Sequence, residues 1–480
     1  MTLDKIDIKA AVADAERLLA NDPSISASAK AVLNPLLLII KLFIDKTGKN
    51  SSNSSIPPSQ DPHRTRERKA NGKLKPGGQP GHTGTTLLPV DNPDEIKTIK
   101  CNRRGLPPGT WKDAGYEKRQ IFDLRISRHV TEYRAEILEN EHGQRYVAAF
   151  PEGVTRPAQY GASVKAHAVY LSNYQLLPYD RVQSMFEEQY GIPLSVGSIA
   201  NFNREAGALA LPFEAVAKRT LIAEAVLHAD ETSINLGGTK HWLHAVSSGT
   251  FTLLSLAVQR GKEAMDAVGV LPAFMGTLVH DHWKPYYGYS CTHALCNAHH
   301  LRELTFAFEQ DGQRWANNMH TMLLELNDAV TVAGGILPPE EAKAWRTRYR
   351  KILGHGNTEC PPPPEPDKPK RGKTKRSKSR NLLERLRDYE DDVLRFMENA
   401  DVPFTNNQGE RDIRMAKLHQ KISGCFRSEE SAHTFCRVRS YLSTCRKNNV
   451  DAGDALMQLF TGKWPGFIQE KIQHFGEGAE

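Results

Sequence analysis

Apolar and polar residues follow different periods in successive parts of the chain. Residues 1–47 have helical spacing, and their second half carries an apolar stripe that fits either self-association or packing on the rest of the domain. The stripe consists of Leu33, Leu36, Leu37, Ile40 and Phe43. Residues 48–98 are predicted to be a basic flexible linker, because hardly an apolar residue occurs up to residue 82 and such a segment buries too little surface to offset its ordering entropy.

A period of two follows, which is typical of strands. Apolar and polar residues alternate over 120–150, most clearly at Phe122–Ile126, and His142-Gly143 is predicted to be a turn. Residues 99–155 are therefore predicted to form a small β module.

Helical spacing returns over 156–218. Two short helices are predicted on either side of Gly191, and the second begins after Ser195, a favourable N-cap. The pair fits a helix-turn-helix, whose second helix can enter the DNA major groove, and it fits a plain helical hairpin about equally well.

Strand-like segments follow in close succession and predict an α/β domain with one central sheet over 219–428. Three segments can form a meander, a helix comes next, and a fourth strand runs into "LVHDHW". Charged helical patterns predict a helical insertion at about 300–400. Within it, 358–380 is rich in proline and basic residues and is predicted to be a disordered loop, while 429–480 is predicted to be helical.

Three acidic residues in this domain need a partner, because a buried carboxylate must be paired, hydrogen-bonded or bound to a cation. Asp230 ends the first strand, Asp281 ends the fourth, and Glu410 lies near the start of a later helix. Glu231 is predicted to point to the opposite face from Asp230, as a solvated or hydrogen-bonded neighbour. Three converging carboxylates suit Mg²⁺, and a pair of such ions could activate the attacking oxygen and stabilise the leaving oxygen in phosphodiester chemistry.

Basic residues on the helix of Glu410 are candidate DNA contacts. Arg411, Arg414, Lys417 and Lys421 could contact phosphates, which would make DNA binding salt-dependent. A solvated helix face with a surface pair between Glu410 and Arg414 is the alternative. The net charge of +7 is too small to decide between the two.

Aromatic residues just after Asp281 have two interpretations. Trp283, Tyr286 and Tyr287 could stack on an unpaired base, and they could equally pack in the core.

The longest apolar run, at 35–44, is too short to span a bilayer, and the chain opens on no secretory signal. With seven scattered cysteines that form no disulfide framework, these features predict a cytoplasmic protein without membrane contact.

Six motifs, taken in order, resemble those of the insertion sequence 66 family of transposases. They are "NSSIPPSQ", "KPGGQPGH", "HADETS", "HDHWKPYYGY", "LCNAHHLREL" and "NNQGERDIRMAKLHQKISGCFRS". The resemblance covers nearly the whole chain from about residue 48 and implies an RNase H-like catalytic domain with a mixed sheet, flanking helices and a helical insertion. It implies a DDE triad at Asp230, Asp281 and Glu410 that binds Mg²⁺, with Mn²⁺ as a substitute.

The resemblance also implies a function. A DNA transposase of this kind cleaves transposon ends and joins the 3′-hydroxyl to target DNA, as a homo-oligomer on DNA, with companion proteins of the same element and a nucleoid-associated location in a bacterium. An RNase H-fold DNA nuclease without strand transfer, and a catalytically inactive DNA-binding protein, are the alternatives.

Zinc is not expected in spite of two cysteine-containing segments. The family carries two C-x-x-C pairs in the small β module, whereas this chain has only Cys101 there, so the module resembles a degenerate zinc finger. A second cluster superficially suggests zinc, but the resemblance assigns it to the start of a helix behind Asp281. That cluster consists of Cys291, Cys296, His299 and His300.

Overall fold

The computed structural model describes residues 2–3, 6–22, 25–47, 87–363 and 376–477. Most of the predicted linker over 48–98 and most of the predicted basic loop over 358–380 lie outside these residues. Within the described residues, no helix has both the length and the apolar character needed to cross a membrane.

Residues 65–132 form a unit separate from the rest of the chain. Its described part, 87–132, contains a 3₁₀ turn at Arg103–Gly105, which the side chain of Asn102 caps, and no strand. The prediction of a strand at Phe122–Ile126 is therefore wrong, and Leu124 is 83% exposed. Alternation stabilises a strand only where a partner strand or a core covers its apolar face, and no described side chain of this unit is buried.

The other unit opens with short strands and two helices, β1 (Thr2–Leu3), β2 (Ile6–Asp7), α1 (Ile8–Asn21) and α2 (Ala27–Thr47). The two strands pair antiparallel, and α1 packs on α2. The helical prediction is confirmed for α1 and α2 but not for the residues of β1 and β2, and the stripe residues Leu33, Leu36 and Ile40 are exposed.

A small hairpin precedes the main helical region. Its strands, β3 (Ile137–Glu139) and β4 (Arg145–Val147), pair antiparallel. The predicted turn is confirmed: the side chain of Asn140 accepts a hydrogen bond from the N–H of His142 at 3.1 Å, and Gly143 has a φ of 74°, a left-handed value that favours glycine.

Four helices and a π-helical turn follow, α3 (Ala162–Val169), the turn Tyr170–Tyr174, α4 (Tyr179–Tyr190), α5 (Val196–Leu209) and α6 (Leu211–Ile222). The predicted helix pair around Gly191 is confirmed as α4 and α5. Ser195 caps α5 by accepting a hydrogen bond from the N–H of Ser198 at 3.0 Å. Ile199 and Phe202 of α5 are buried, whereas Asn201 and Arg204 are exposed.

The centre of this unit is a five-stranded mixed sheet. Its strands are β5 (Val226–Leu236), β6 (Thr239–Ser247), β7 (Thr252–Ala257), β8 (Thr277–His280) and β9 (Thr292–Leu295), and α7 (Lys262–Val268) connects β7 to β8. The strand order is β7-β6-β5-β8-β9. The first three strands are antiparallel, as the predicted meander requires, and β8 and β9 run parallel to β5. The α/β prediction is confirmed, although β9 was not predicted.

The remaining helices form the insertion and the C-terminal region. The insertion contains α8 (Asn297–Asp311), α9 (Arg314–Val332), α10 (Pro339–Glu359), α11 (Lys378–Asp388) and α12 (Glu390–Leu394). After it come α13 (Asn407–Ser423), α14 (Glu429–Lys447), α15 (Ala452–Phe460) and α16 (Gly466–Glu477). The insertion packs around Trp315, Leu323 and Tyr349, in a core that also contains Val279 of β8 and Leu295 of β9.

The two faces of the sheet contribute to different cores. Leu227 and Ala229 of β5 pack in a core with Phe213 of α6, whereas Ile234 of the same strand packs with Ile413 of α13. Odd-numbered and even-numbered residues of β5 therefore point to opposite faces. Consequently, α13 lies on the face to which Asp230 belongs.

Helix α14 covers the edge strand β7. The hydroxyls of Ser440 and Thr444 accept hydrogen bonds from the backbone N–H groups of Leu254 and Thr252, at 2.8 and 3.0 Å. An exposed edge strand offers unpaired backbone groups to other chains. Two helix side chains here satisfy those groups and fix the position of α14.

Candidate active site

Asp281 directly follows β8, whereas Asp230 lies within β5, which continues to Leu236. The prediction that Asp230 ends its strand is therefore wrong. The pairs Val226–Thr277, Leu227–Leu278 and His228–Val279 set the register of β5 and β8. When the register is continued by two residues, Asp230 comes level with Asp281. Because residues that are level on adjacent strands lie close together, and the pairing of β5 with β8 stops just before these two residues, both carboxyl groups belong to one site.

The third acid, Glu410, lies in the first turn of α13, and Asn406 positions that turn. The side chain of Asn406 donates to the carbonyl oxygen of Ala229 at 2.8 Å, and its Oδ1 lies 2.9 Å from Nδ1 of His228. The backbone N–H of Asn406 donates to Sγ of Cys296 at 3.1 Å. The start of α13 is therefore attached both to the strand of Asp230 and to the start of α8.

The three predicted acids influence one another electrostatically. Burial raises the pKa of Asp230 well above its usual range. The neighbouring carboxylates of Glu231, Asp281 and Glu410 raise this pKa further, although the N–H of Glu231, 2.9 Å from Oδ1 of Asp230, lowers it. The structure thus brings all three predicted residues into one electrostatic cluster.

Glu231 is held by hydrogen bonds and by an ion pair. Its side chain is 1% exposed; it accepts a hydrogen bond from the hydroxyl of Tyr286 at 2.5 Å and pairs with the guanidinium of Arg260. Burial raises the pKa of Glu231, Asp281 adds to this, and Tyr286 and Arg260 lower it. Glu231 is the hydrogen-bonded neighbour predicted from strand alternation, and it is not solvated.

Arg260 links Glu231 to the segment after Asp281. Its guanidinium lies 4.1 Å from the ring centroid of Trp283 and 4.9 Å from that of Trp242. A cation between two aromatic faces is attracted to both of them. Arg260, which the sequence did not single out, therefore holds the β5 and β8 ends of the site together.

The chain turns sharply just after Asp281. His282 has a φ of 71°, in the left-handed region that few residues other than glycine adopt. Oδ1 of Asp281 accepts a hydrogen bond from the N–H of Trp283 at 3.0 Å, and Nδ1 of His280 accepts one from the N–H of His282 at 3.1 Å. This turn fixes the direction in which the Asp281 side chain leaves β8.

The aromatic residues after Asp281 are committed to contacts within the protein. Tyr286 is 1% exposed and bonded to Glu231, Tyr287 donates to Asp392 at 3.2 Å, and Arg260 covers the ring of Trp283. These contacts favour the core-packing interpretation over stacking on an unpaired base.

A group of metal-ligand side chains adjoins the three carboxylates. Ligand atoms of Cys296, His299 and Glu410 all lie within 4.8 Å of one another. Among the described residues, Asp230, Asp281 and Glu410 do not come as close together as this. The other two members of the predicted cysteine-histidine cluster lie elsewhere: Cys291 is in the core, and His300 is buried with its Nδ1 3.0 Å from Oδ1 of Asn297.

The candidate DNA contacts on α13 fall into two groups. Arg411, Arg414 and Lys421 are exposed, and none of them has an ion-pair partner among the described residues. Lys417 is half-buried, donates to the carbonyl oxygen of Ser233, and has a pKa lowered by burial. Lys417 therefore has a structural contact that the other three lack.

Residues 157–434 match the family described as Transposase IS66 family, and this match covers more than half of the 480 residues. The chain therefore belongs to the IS66 family of transposases. Membership implies a transposase role, with DNA as the molecule acted on. No curated protein matches the chain.

Proposed function

We propose that this protein is a DNA transposase that cleaves the ends of its mobile element and joins the freed 3′-hydroxyl to target DNA. The observation that carries the proposal is the register of β5 and β8, which makes Asp230 level with Asp281, together with the Asn406 side chain that attaches the first turn of α13, and with it Glu410, to β5. An acid within β5, a second that is level with it at the end of the adjacent parallel strand β8, and a third on a helix across the same face support an RNase H-like catalytic domain with a DDE triad.

The donor set fits Mg²⁺ or Mn²⁺. Carboxylate oxygens are the ligands these ions prefer, and a cation would offset both the burial and the neighbouring carboxylates that raise the pKa of Asp230. The side chain of Glu410 is 42% exposed, which leaves it room to rotate towards the two aspartates. Bound ions would activate the attacking oxygen and stabilise the leaving oxygen.

The protein's own residues orient these acids. Asn406 fixes the first turn of α13, and the left-handed backbone at His282 fixes the exit of Asp281 from its strand. Arg260 and Tyr286 offset the charge of Glu231. The negative charge left for cations is then that of the three triad carboxylates.

DNA contacts are proposed for two surfaces. Helices α4 and α5 would act as a helix-turn-helix that recognises the transposon ends, and Arg411, Arg414 and Lys421 would bind phosphates near the acids. We expect a homo-oligomer on DNA, companion proteins of the same element and action at the bacterial nucleoid.

A labelled duplex that carries the transposon end tests the proposal. The purified protein should cut it only with Mg²⁺ or Mn²⁺ and yield joined product when target DNA is added. Asp230→Asn, Asp281→Asn and Glu410→Gln should each abolish both steps. The exposed acids Asp328 and Glu309 provide matched controls, so Asp328→Asn and Glu309→Gln should keep both steps.

Other outcomes identify the alternatives. Cutting without joined product would favour a nuclease of the same fold, and DNA binding without cutting would favour an inactive DNA-binding protein. Cleavage undiminished in Asp230→Asn or Glu410→Gln would refute the triad assignment.

A further inference from the structure

Cys296, His299 and Glu410 come from two helices that start side by side. Cys296 is the N-cap of α8 and is 1% exposed, His299 lies in the first turn of that helix, and Glu410 lies in the first turn of α13. Possible ligand atoms of the three residues lie within 4.8 Å of one another. Liganding sulfur, nitrogen and oxygen atoms are therefore close together before any ion binds.

The imidazole of His299 has an unsatisfied buried nitrogen. Its Nδ1 is inaccessible to solvent and has no hydrogen-bond partner among the described residues. Oε1 of Glu410, at 3.9 Å, is too distant for a hydrogen bond. Buried polar atoms are costly to leave unpaired, so an unpaired Nδ1 aimed at a carboxylate points to a ligand between them.

Two backbone features around the sulfur of Cys296 suit a metal-bound thiolate, although burial raises the pKa of this thiol. Its Sγ accepts a hydrogen bond from the backbone N–H of Asn406 at 3.1 Å. Such outer hydrogen bonds orient metal ligands and tune them. Cys296 also lies at the N-terminus of a helix of 15 residues, where the helix dipole favours negative charge.

We propose that Cys296, His299 and Glu410 bind a thiolate-preferring divalent ion of the zinc type. A thiolate and an imidazole select zinc-like ions over Mg²⁺, and three protein ligands leave one position of a tetrahedral site open. Ligand atoms around tetrahedral zinc lie roughly 3.3–3.8 Å apart, given bonds of about 2.0–2.3 Å. The three side chains need only a small contraction, and those of His299 and Glu410 are 33% and 42% exposed, so they are free to adjust.

The proposed ion shares Glu410 with the triad, and this part of the inference rests on the proposed function. A carboxylate bound to an ion beside Cys296 and His299 is drawn towards α8 and away from Asp230 and Asp281. Zinc-type ions would therefore compete with Mg²⁺ for Glu410. Occupancy of the site would inhibit DNA cleavage.

Cobalt binding to the metal-free full-length protein tests the site directly, because Co²⁺ replaces zinc and gives a thiolate charge-transfer absorption. One Co²⁺ per chain should bind with this absorption. Cys296→Ser should abolish the absorption, and His299→Gln and Glu410→Gln should each weaken binding by more than about tenfold. Cys291→Ser is the matched control: Cys291 is also buried, it lies outside the group, and its loss should change nothing.

Two results would overturn the proposal. One is a thiolate absorption that persists in Cys296→Ser, and the other is cobalt affinity that is unchanged in His299→Gln, a variant at a partly exposed side chain. The double variant Asp230→Asn/Asp281→Asn should keep the absorption. Because this assay uses no DNA, its failure leaves the transposase proposal standing, and a failure to cleave DNA leaves this site standing.

Discussion

At the scale of single residues, Arg260 determines whether a fourth carboxylate can remain beside the candidate triad. The side chain of Glu231 is 1% exposed, and that of Arg260 is 36% exposed. Arg260→Met should lower the free energy of unfolding by roughly 2–3 kcal/mol, less than the loss of one partner from a fully buried pair, because Arg260 is partly solvated. Denaturant unfolding at pH 7 measures the change.

The loss of unfolding free energy caused by Arg260→Met should become smaller as the pH falls below 7. The pKa of Glu231 is raised above its usual 4.5, so its ionised form destabilises the folded state, and protonation on acidification removes that cost. Arg348→Met is the control, because Arg348 also stacks on a tryptophan, Trp345, and pairs with Glu325, but both charges are about half exposed. Arg348→Met should lower the free energy of unfolding by less than about 1 kcal/mol. Equal losses in the two variants would contradict the burial argument.

Gly409 is required by the close approach of Asn406. A Cβ at residue 409 would lie 3.0 Å from Oδ1 of Asn406, so Gly409→Ala must displace the side chain that anchors α13 to Ala229 and His228. We expect the free energy of unfolding to fall by about 1 kcal/mol or more, even though alanine stabilises a helix relative to glycine by about that amount. Gly354→Ala in α10, where no atom lies within 4 Å of the new Cβ, should instead stabilise the protein. Thermal unfolding of both variants measures the contrast, and a stabilised Gly409→Ala would refute the role of the anchor.

At the scale of elements, a buried ion pair joins α14 to α13. Lys447, the last residue of α14, donates to Asp412 at 2.8 Å and to the carbonyl oxygens of Ser248 and Phe251, and the two charged side chains are 13% and 9% exposed. Lys447→Met leaves Asp412 buried without its cation and should cost about 3 kcal/mol in unfolding free energy. Urea denaturation provides the measurement.

A second pair between helices is the control for Lys447→Met. Arg204 of α5 and Glu430 of α14 lie 2.8 Å apart, but their side chains are 55% and 63% exposed. Arg204→Met should therefore cost less than about 1 kcal/mol. If the double variant Lys447→Met/Asp412→Asn were no more stable than Lys447→Met, uncompensated charge would not be the cause of the loss.

The sequence predicts elements well where a local pattern coincides with burial. Period and capping located the helix pair around Ser195, and the apolar segments that end in Asp230 and Asp281 located two neighbouring strands. The alternation at Phe122–Ile126 predicted a strand that does not form, because no partner strand or core covers those residues. Strand β9, Thr292–Leu295, is as short as β8 but is only half buried, so it lacks the continuous apolar run that indicates β8.

The site could be predicted only in part for a related reason. The triad acids belong to recognisable sequence motifs. The other features of the site depend on contacts between residues more than 25 positions apart: the anchoring role of Asn406, the ion pair of Arg260, and the proximity of Cys296 to Glu410. Spacing along the chain carries no signal for such contacts. Cys296 and His299 lie three residues apart in the sequence, but the carboxylate that completes their group comes from another helix.

At the scale of the whole molecule, the net charge of +7 is modest, so DNA binding depends on where the cations lie. Arg411, Arg414 and Lys421 lie exposed on the helix of Glu410, whereas Lys417 is bonded to Ser233. The first three are expected to contribute to the salt dependence of binding, and Lys417 to the stability of the fold.

Binding to a transposon-end duplex, measured over a range of salt concentrations, tests this division. Arg414→Gln and Lys421→Gln should each weaken binding and reduce the slope of log K against log salt by about 1, because each lost phosphate contact releases about one counterion fewer. Lys417→Gln should leave the slope unchanged and lower the unfolding temperature, and Lys343→Gln, at an exposed residue of α10, should alter neither quantity. A slope unchanged in both Arg414→Gln and Lys421→Gln would show that DNA does not follow this face of α13. The helix-turn-helix surface would then have to supply the phosphate contacts.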